Sequence, residues 1–271
     1  MAHFDWYQAT IQEYPRVVAD ALMTISHAAA MTHGRGRHNY HESASILDSS
    51  GETIATMLHG GPNGSPNVTG SGDNAEAVAA TIRKYWPEHR VTRIDACEDI
   101  RGDFSSYHEK CRAIARDHRI KAHTHAPDDL GDGSTYYIGS KSSATTFRCY
   151  EKGKQLRSLA ADPESVPLDW LRLETQHRPV RDAKETAASL TADQVWGVSA
   201  WTHRIARDLL GNGCSRLTVR PRLLTTFERR SIAADRQYGA LFAEIAAKYG
   251  GWEAVGPYFR DLGHTIADAA E

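Results

Sequence analysis

Thr92-Arg-Ile-Asp-Ala-Cys-Glu-Asp99 is the stretch on which the fold turns. Residues two apart share a face of a β-strand, so Arg93, Asp95, Cys97 and Asp99 stand on one side, with Ile94 and Ala96 opposite. Thr146-Phe-Arg-Cys-Tyr-Glu-Lys152 divides the same way, Arg148, Tyr150 and Lys152 against Phe147 and Cys149. In Trp170-Leu-Arg-Leu-Glu-Thr175, Arg172 and Glu174 oppose Leu171 and Leu173. An antiparallel sheet with one face on a core produces this alternation. For any one strand, cross-paired charges in solvent explain the polar side.

Three strands with the same division carry a second meaning if they are neighbours, because their charged faces then form one surface. Asp95 and Glu174 offer oxygen ligands to a hard divalent cation. Arg148, Lys152 and Arg172 suit phosphate oxygens, and Tyr150 adds a phenol. A metal that polarises a phosphorus–oxygen bond, basic side chains and a hydroxyl nucleophile are the parts of phosphodiester transesterification.

Outward from these strands the pattern stays mixed. Strands are expected over 3–10, 43–49, 53–59, 67–71, 90–98, 135–139, 144–151 and 169–176, with helices over 13–28, 74–85 and 104–117. Asp48-Ser-Ser-Gly-Glu52 reads as a hairpin turn. From 181 onward the periodicity is helical, over 182–190, 192–211, 226–249 and 254–269. The fold class is therefore α+β, an antiparallel or mixed central sheet with helices on one face. Residues 1–180 form the expected sheet domain, and 181–271 a helical region that packs on it or stands apart.

Composition narrows the class. The chain has 271 residues, 41% of them apolar, and no run of the ~20 apolar residues that a membrane helix needs. The start, MAHFDWYQATIQEYPR, lacks the basic-then-apolar order of a secretion signal. Cys97, Cys111, Cys149 and Cys214 are widely spaced without a Cys-x-x-Cys pair, which favours buried free thiols in a reducing cytoplasm. A net charge of −2 excludes a globally basic coat, but its distribution is uneven. Residues 1–82 carry 3 basic and 8 acidic side chains, whereas 202–236 carry eight Arg and three acids. An anionic partner would meet local patches rather than a global field.

Arg93-Ile-Asp95 with Asp99, Thr135-Tyr-Tyr-Ile-Gly-Ser-Lys-Ser-Ser143, Arg148-Cys-Tyr-Glu-Lys-Gly153 and Trp170-Leu-Arg-Leu-Glu174 come in an order that resembles the replication initiation factor family. That family covers rolling-circle plasmid initiators, filamentous-phage initiators and related conjugative relaxases. His3-Phe-Asp-Trp-Tyr7 and Val68-Thr-Gly-Ser-Gly72 are also similar to family features, so the likeness spans roughly residues 3–180. It implies an HUH-endonuclease-like sheet and a site-specific, metal-dependent DNA nickase of the bacterial cytoplasm. Such an enzyme initiates rolling-circle replication or conjugative transfer, staying on the new 5′ end through tyrosine.

Carried onto this chain, the resemblance makes Tyr150 the nucleophile and Asp95, Glu174 and Asp99 the ligands of Mg²⁺ or Mn²⁺. Arg148, Lys152, Arg172 and the Gly139-Ser140-Lys141 turn would face the scissile strand. It implies DNA, single-stranded at the cleavage point, as partner, and a host helicase as a second one. Lys141 and Glu151 stand where relatives favour Arg and Asp. The rival readings are a non-catalytic DNA-binding regulator on the same fold and a hydrolytic nuclease without a covalent intermediate.

Other features carry less. His123 and His125 would share a strand face and offer imidazoles to a metal, although an exposed pair explains them more simply. Asp128, Asp129 and Asp132 read first as an acidic turn. Tyr136 and Tyr137 compete with Tyr150, but they alternate, so one at most faces the site. Gly34-Arg-Gly-Arg-His38 is a basic turn that reads first as a solvated loop, with a DNA backbone contact as the alternative. Gly60–Gly64 lacks the Gly-Lys-Ser/Thr of a phosphate-binding loop. Trp196, Trp201, Phe227, Tyr238, Phe242 and Tyr249 read as helix core.

Overall fold

A computed structural model describes residues 1–127, 133–217 and 226–268. Contacts group the chain into two units, Met1–Arg220 and Pro221–Glu271. In the first, ten strands are β1 (His3–Thr10), β2 (Ala30–Arg35), β3 (Glu42–Leu47), β4 (Thr53–His59), β5 (Asn67–Ser71), β6 (Arg90–Arg101), β7 (Ala122–His125), β8 (Thr135–Ile138), β9 (Thr145–Tyr150) and β10 (Trp170–His177). They make one sheet in the order β2-β3-β4-β5-β1-β6-β10-β9-β8-β7. Every described pairing is antiparallel.

The helices of this unit are α1 (Pro15–Leu22), α2 (Ala75–Tyr85), α3 (Phe104–Asp117), α4 (Lys152–Arg157), α5 (Ala183–Thr186), α6 (Ala192–Val195) and α7 (Ala200–Leu209). The apolar side of the central strands, including Tyr7, Ile94, Ala96, Phe147, Cys149 and Leu173, is buried in one cluster. Val18 and Leu22 of α1, Val78 and Ile82 of α2, Cys111 and Ile114 of α3 and Ile205 of α7 close it. Gly70 shows how near α2 lies, since a Cβ there would sit 2.6 Å from Val78. Phe147 meets Trp196 and Trp201 edge-on, with ring centroids 6.2 and 6.4 Å apart. Of the helical region expected over 181–271, the part up to Leu209 therefore packs on the sheet. Pro221–Glu271 forms its own unit of α8 (Thr226–Tyr249) and α9 (Val255–Asp268).

Three local differences from the sequence reading have clear causes. β2 was not expected, because all six of its residues are exposed and no apolar face marks it. The helix expected over 13–28 stops at Leu22, where Thr24 Oγ1 donates to the Ala21 carbonyl at 2.7 Å and the chain turns. Lys152, placed by alternation on the strand of Tyr150, instead starts α4. α3 keeps its expected bounds and is capped by Asp103, whose carboxylate accepts from Ser106 N at 2.8 Å.

Candidate functional site

Register assembles the charged side of the sheet. β10 sets Arg172 opposite Asp99, Glu174 opposite Cys97 and Gln176 opposite Asp95 on β6. On its other edge, Arg172 meets Tyr150 and Glu174 meets Arg148 of β9. Arg148 faces Tyr137 of β8, which faces His123 of β7. Registered partners share a face, so residues expected on three separate strands lie on one surface. β1 adds Asp5 through a bulge: Phe4 pairs with Ala96 and Trp6 with Asp95, leaving Asp5 as the extra residue. Its carboxylate thereby reaches Arg172.

The carboxylates and guanidinium groups of this surface are already paired. Glu174 accepts two hydrogen bonds from Arg148, Nε to Oε2 at 2.9 Å and Nη2 to Oε1 at 2.8 Å. Asp99 accepts two from Arg172, both at 2.7 Å, and Asp5 accepts a third from the same guanidinium at 2.7 Å. Asp95 accepts from Arg93 and, at 3.0 Å, from Gln176 Nε2. Asp95 and Glu174 are almost fully buried, at 0% and 2% exposed. Buried charges persist when paired and hydrogen-bonded in this manner.

Burial and neighbouring charge then set the proton affinities. Burial pushes the Glu174 carboxyl up to about 7 against the pull of Arg148, and the charge of Asp95 adds to the rise. Burial also raises Asp99, but Arg172 more than offsets it and holds that carboxyl below its ordinary value. Tyr150 is buried, which together with Glu174 raises its phenol well above the ordinary tyrosine value. Its ring lies 5.2 Å from the Arg148 guanidinium and 5.9 Å from Lys152 Nζ, so Lys152 stays near the phenol although it belongs to α4. Lys152 is itself lowered by burial and then by Arg172.

Beside this network a cleft of about 1120 Å³ opens along β7, β8, β9 and β10. Five cationic side chains, Arg93, Lys121, Lys141, Arg148 and Arg178, line it against the single carboxylate of Glu174. Ser140, His123, His125 and Tyr137 are also in its wall. Lys121, Lys141 and Arg178 are exposed and, among the described residues, have no ion-pair partner. Tyr150 borders a smaller recess of about 130 Å³, shared with Tyr137 and Arg148. Of the competing tyrosines, Tyr136 is buried on the core side and meets His108 edge-on, whereas Tyr137 faces the cleft and stacks on His123 at 5.0 Å.

The oxygens of Asp95 and Glu174 are of the kind Mg²⁺ and Mn²⁺ favour. In this arrangement guanidinium donors occupy them, and among the described residues no three His, Cys, Asp or Glu side chains converge as a metal would need. The residues as arranged do not fit a divalent ion. Asp128, Asp129 and Asp132, and Arg220 and Arg222 of the Arg-rich stretch, lie outside the described residues.

Arg172 was expected to face phosphate, but its guanidinium is committed to Asp99 and Asp5. Lys121 and Arg178 were not singled out, although a signal existed. Arg178 continues the alternation of Arg172, Glu174 and Gln176 one step past β10, and Lys121 precedes His123 and His125 at the same spacing. Asp5 had no such signal, because a bulge breaks the two-residue period.

Residues 89–194 match the replication initiation factor family. This segment runs from β6 through β10 to α6, and so contains the whole paired network except Asp5. A rolling circle replication initiator protein from Geobacillus stearothermophilus has a similar solved structure, with a TM-score of 0.51 and 20% identity. The likeness covers 86% of this chain and 95% of that one, and it is a likeness of fold. No curated protein matches the chain. Among the described residues no helix is long and apolar enough to cross a membrane.

Proposed function

We propose that this chain is a DNA-nicking and strand-transferring initiator of rolling-circle replication or conjugative transfer, acting through a covalent 5′-phosphotyrosine. In this reading the Tyr150 oxygen attacks a backbone phosphorus. The bond to the 3′ oxygen breaks, that oxygen leaves with a proton as a 3′-OH, and the phenolic proton passes to solvent. The attack requires the scissile phosphate to enter beside Tyr150 with its charge balanced, which Arg148 and Lys152 are near enough to do. Ser140 and Lys141 line the cleft that Arg148 also borders.

The observation that carries the reading is the charge of the cleft. Five cations and one carboxylate line a groove that runs past Arg148, and three of those cations have no carboxylate partner among the described residues. A single strand, whose phosphates recur at every nucleotide, is the ligand such a groove suits. The family match supports initiation as the process, with DNA as the partner.

The test uses 5′-labelled and 3′-labelled single-stranded origin oligonucleotides with Mn²⁺ or Mg²⁺ supplied. Cleavage with a protein–DNA adduct that survives denaturation supports the proposal, and a Tyr150→Phe chain that cleaves equally well overturns the assignment of the nucleophile. Tyr137 is the second candidate, because it borders both the cleft and the recess of Tyr150. Mapping the adduct-bearing peptide separates the two.

A further inference from the structure

The cleft is walled by aromatic side chains as well as cations, and with Tyr150 as the nucleophile one aromatic pair has no part in the chemistry. His123 of β7 and Tyr137 of β8 are registered partners. Their rings lie nearly parallel, at 15°, with centroids 5.0 Å apart. Both line the cleft.

A cross-strand aromatic pair can serve only to hold two strands together. This one buries little. All four β7 residues are exposed, His123 among them, and Tyr137 is half-buried. β7 is held by other means: it is in register with β8 along its whole length, and Gly139 N donates to the Lys121 carbonyl at 2.8 Å just before it. Thr124 also shares a hydrogen bond of 3.2 Å with His108 of α3. His123 therefore has one ring face on Tyr137 while its side chain stays open to solvent.

Register ties the pair to the phosphate-binding groups. His123, Tyr137, Arg148 and Glu174 form one row across β7, β8, β9 and β10. Tyr150 stands two residues beyond Arg148 on β9, which makes it a diagonal neighbour of Tyr137, about 7–8 Å away. The two tyrosines share the smaller recess. Lys121 precedes His123 by two residues, about 7 Å along the extended chain, and lines the same cleft. Cations and a flat aromatic surface thus alternate along one wall.

We propose that His123 and Tyr137 are a base-stacking platform, on which one unpaired nucleobase of the strand in the cleft lies against His123 and continues the stack. An unpaired strand offers both things this wall suits: phosphates for the cations and the open face of a base for the rings. A duplex keeps its base faces stacked on each other and has none to offer. The platform holds the strand beside Tyr150 through a base, where Arg148 and Lys121 hold it through phosphates. This inference rests on the reading of the cleft as a single-strand path.

The test is equilibrium binding of two end-labelled strands of equal length, an oligothymidylate and an abasic deoxyribose-phosphate strand, over a potassium chloride series. EDTA is present, so a metal held by a histidine contributes nothing. The full chain is compared with His123→Ala/Tyr137→Ala and His123→Phe/Tyr137→Phe. The alanine variant should bind oligothymidylate about tenfold more weakly, as for one lost stacked base. Its slope of log K against log salt should match the parent's, because no phosphate contact is lost. The phenylalanine variant keeps flat rings and should bind within about twofold of the parent. On the abasic strand the alanine variant and the parent should bind alike, since the platform then has nothing to stack on. Equal affinity for oligothymidylate, a lower salt slope, or a loss that persists on the abasic strand overturns the platform and leaves the cleft's charge as the binding element. A parent chain that binds neither strand overturns the platform and the single-strand path together. Cleavage of single-stranded oligonucleotides with Mn²⁺ is scored in parallel; its absence with the stacking effect intact rejects nicking and leaves the platform standing.

Discussion

Arg148 and Glu174 face each other across the β9–β10 ladder and are joined by two hydrogen bonds of 2.9 and 2.8 Å. The acid side chain is 2% exposed and the guanidinium 40%, so the pair is buried at one end and open to the cleft at the other. Removing only the arginine strands a carboxylate in the sheet. Arg148→Met should cost about 2–3 kcal/mol in urea unfolding, below the about 3–5 of a fully buried pair because the arginine is partly solvated. Arg148→Met/Glu174→Gln should recover most of that loss. A single variant as stable as the parent would show that Glu174 does not depend on this partner.

Lys121, Lys141 and Arg178 differ from Arg93, Arg148 and Arg172 in that no carboxylate neutralises them among the described residues. Their charge is available to a strand in the cleft. Changing all three to Ala should reduce the salt slope for single-stranded DNA by about 2, at about 0.7 per phosphate. Thermal unfolding should stay within about 0.5 kcal/mol of the parent, as for other exposed positions. Unaltered single-strand binding would remove the cleft as the DNA path.

How far this surface was legible depended on the two-residue period. Asp95, Arg148, Tyr150, Arg172 and Glu174 fell on one face because their strands alternate cleanly, and the adjacency of β6, β10 and β9 brought them together. What alternation does not contain is which charge pairs with which. That choice is made by register: Arg172 sits opposite Asp99, whereas Arg148 sits opposite Glu174. β2 was invisible because an edge strand solvated on both faces has no apolar side to read. The cleft depends on Lys121 and Arg178 at strand ends, where the period gives its weakest signal.

Glu174 and His177 should oppose each other in acid. Burial raises folded Glu174 to about 7, while the unfolded chain releases that proton near 4.5. Folding therefore takes up a proton in that window, and this residue's contribution falls as pH rises. Burial lowers folded His177 to about 4 against an ordinary value of 6.5, so its contribution is lost as pH falls between those values. Relative to the parent, Glu174→Gln should gain stability with rising pH from about 4.5 to 7, by up to about 1.4 kcal/mol per unit. His177→Asn should gain it with falling pH from about 6.5 to 4. Parallel curves for parent and variants in chemical denaturation would refute both assignments.

The paired state of Asp95 and Glu174 bears on metal affinity. With guanidinium donors on both carboxylates and no three-donor cluster among the described residues, the free chain should show no saturable Mn²⁺ binding at micromolar concentrations. Calorimetric titration checks this, and Glu174→Gln should leave the result unchanged. A micromolar site abolished by that variant would mean that Arg148 releases Glu174 to the ion.

Tyr150 gives the sharpest test of mechanism. Its phenol is buried and held above the ordinary tyrosine value by that burial and by Glu174, so it carries its proton at neutral pH. Attack on phosphorus requires that the proton be lost, and the reactive fraction then grows about tenfold per pH unit below the phenol's pKa. Single-turnover cleavage of a single-stranded oligonucleotide, at one fixed divalent-ion concentration, should accelerate by that factor from about pH 7 to 9. The charge of Arg148, whose guanidinium lies 5.2 Å from the Tyr150 ring, favours the phenolate, so Arg148→Met should lower the rate at each pH in the window. A rate independent of pH in the parent chain would show that phenol deprotonation does not limit cleavage, and would shift attention to Tyr137, whose side chain borders the larger cleft.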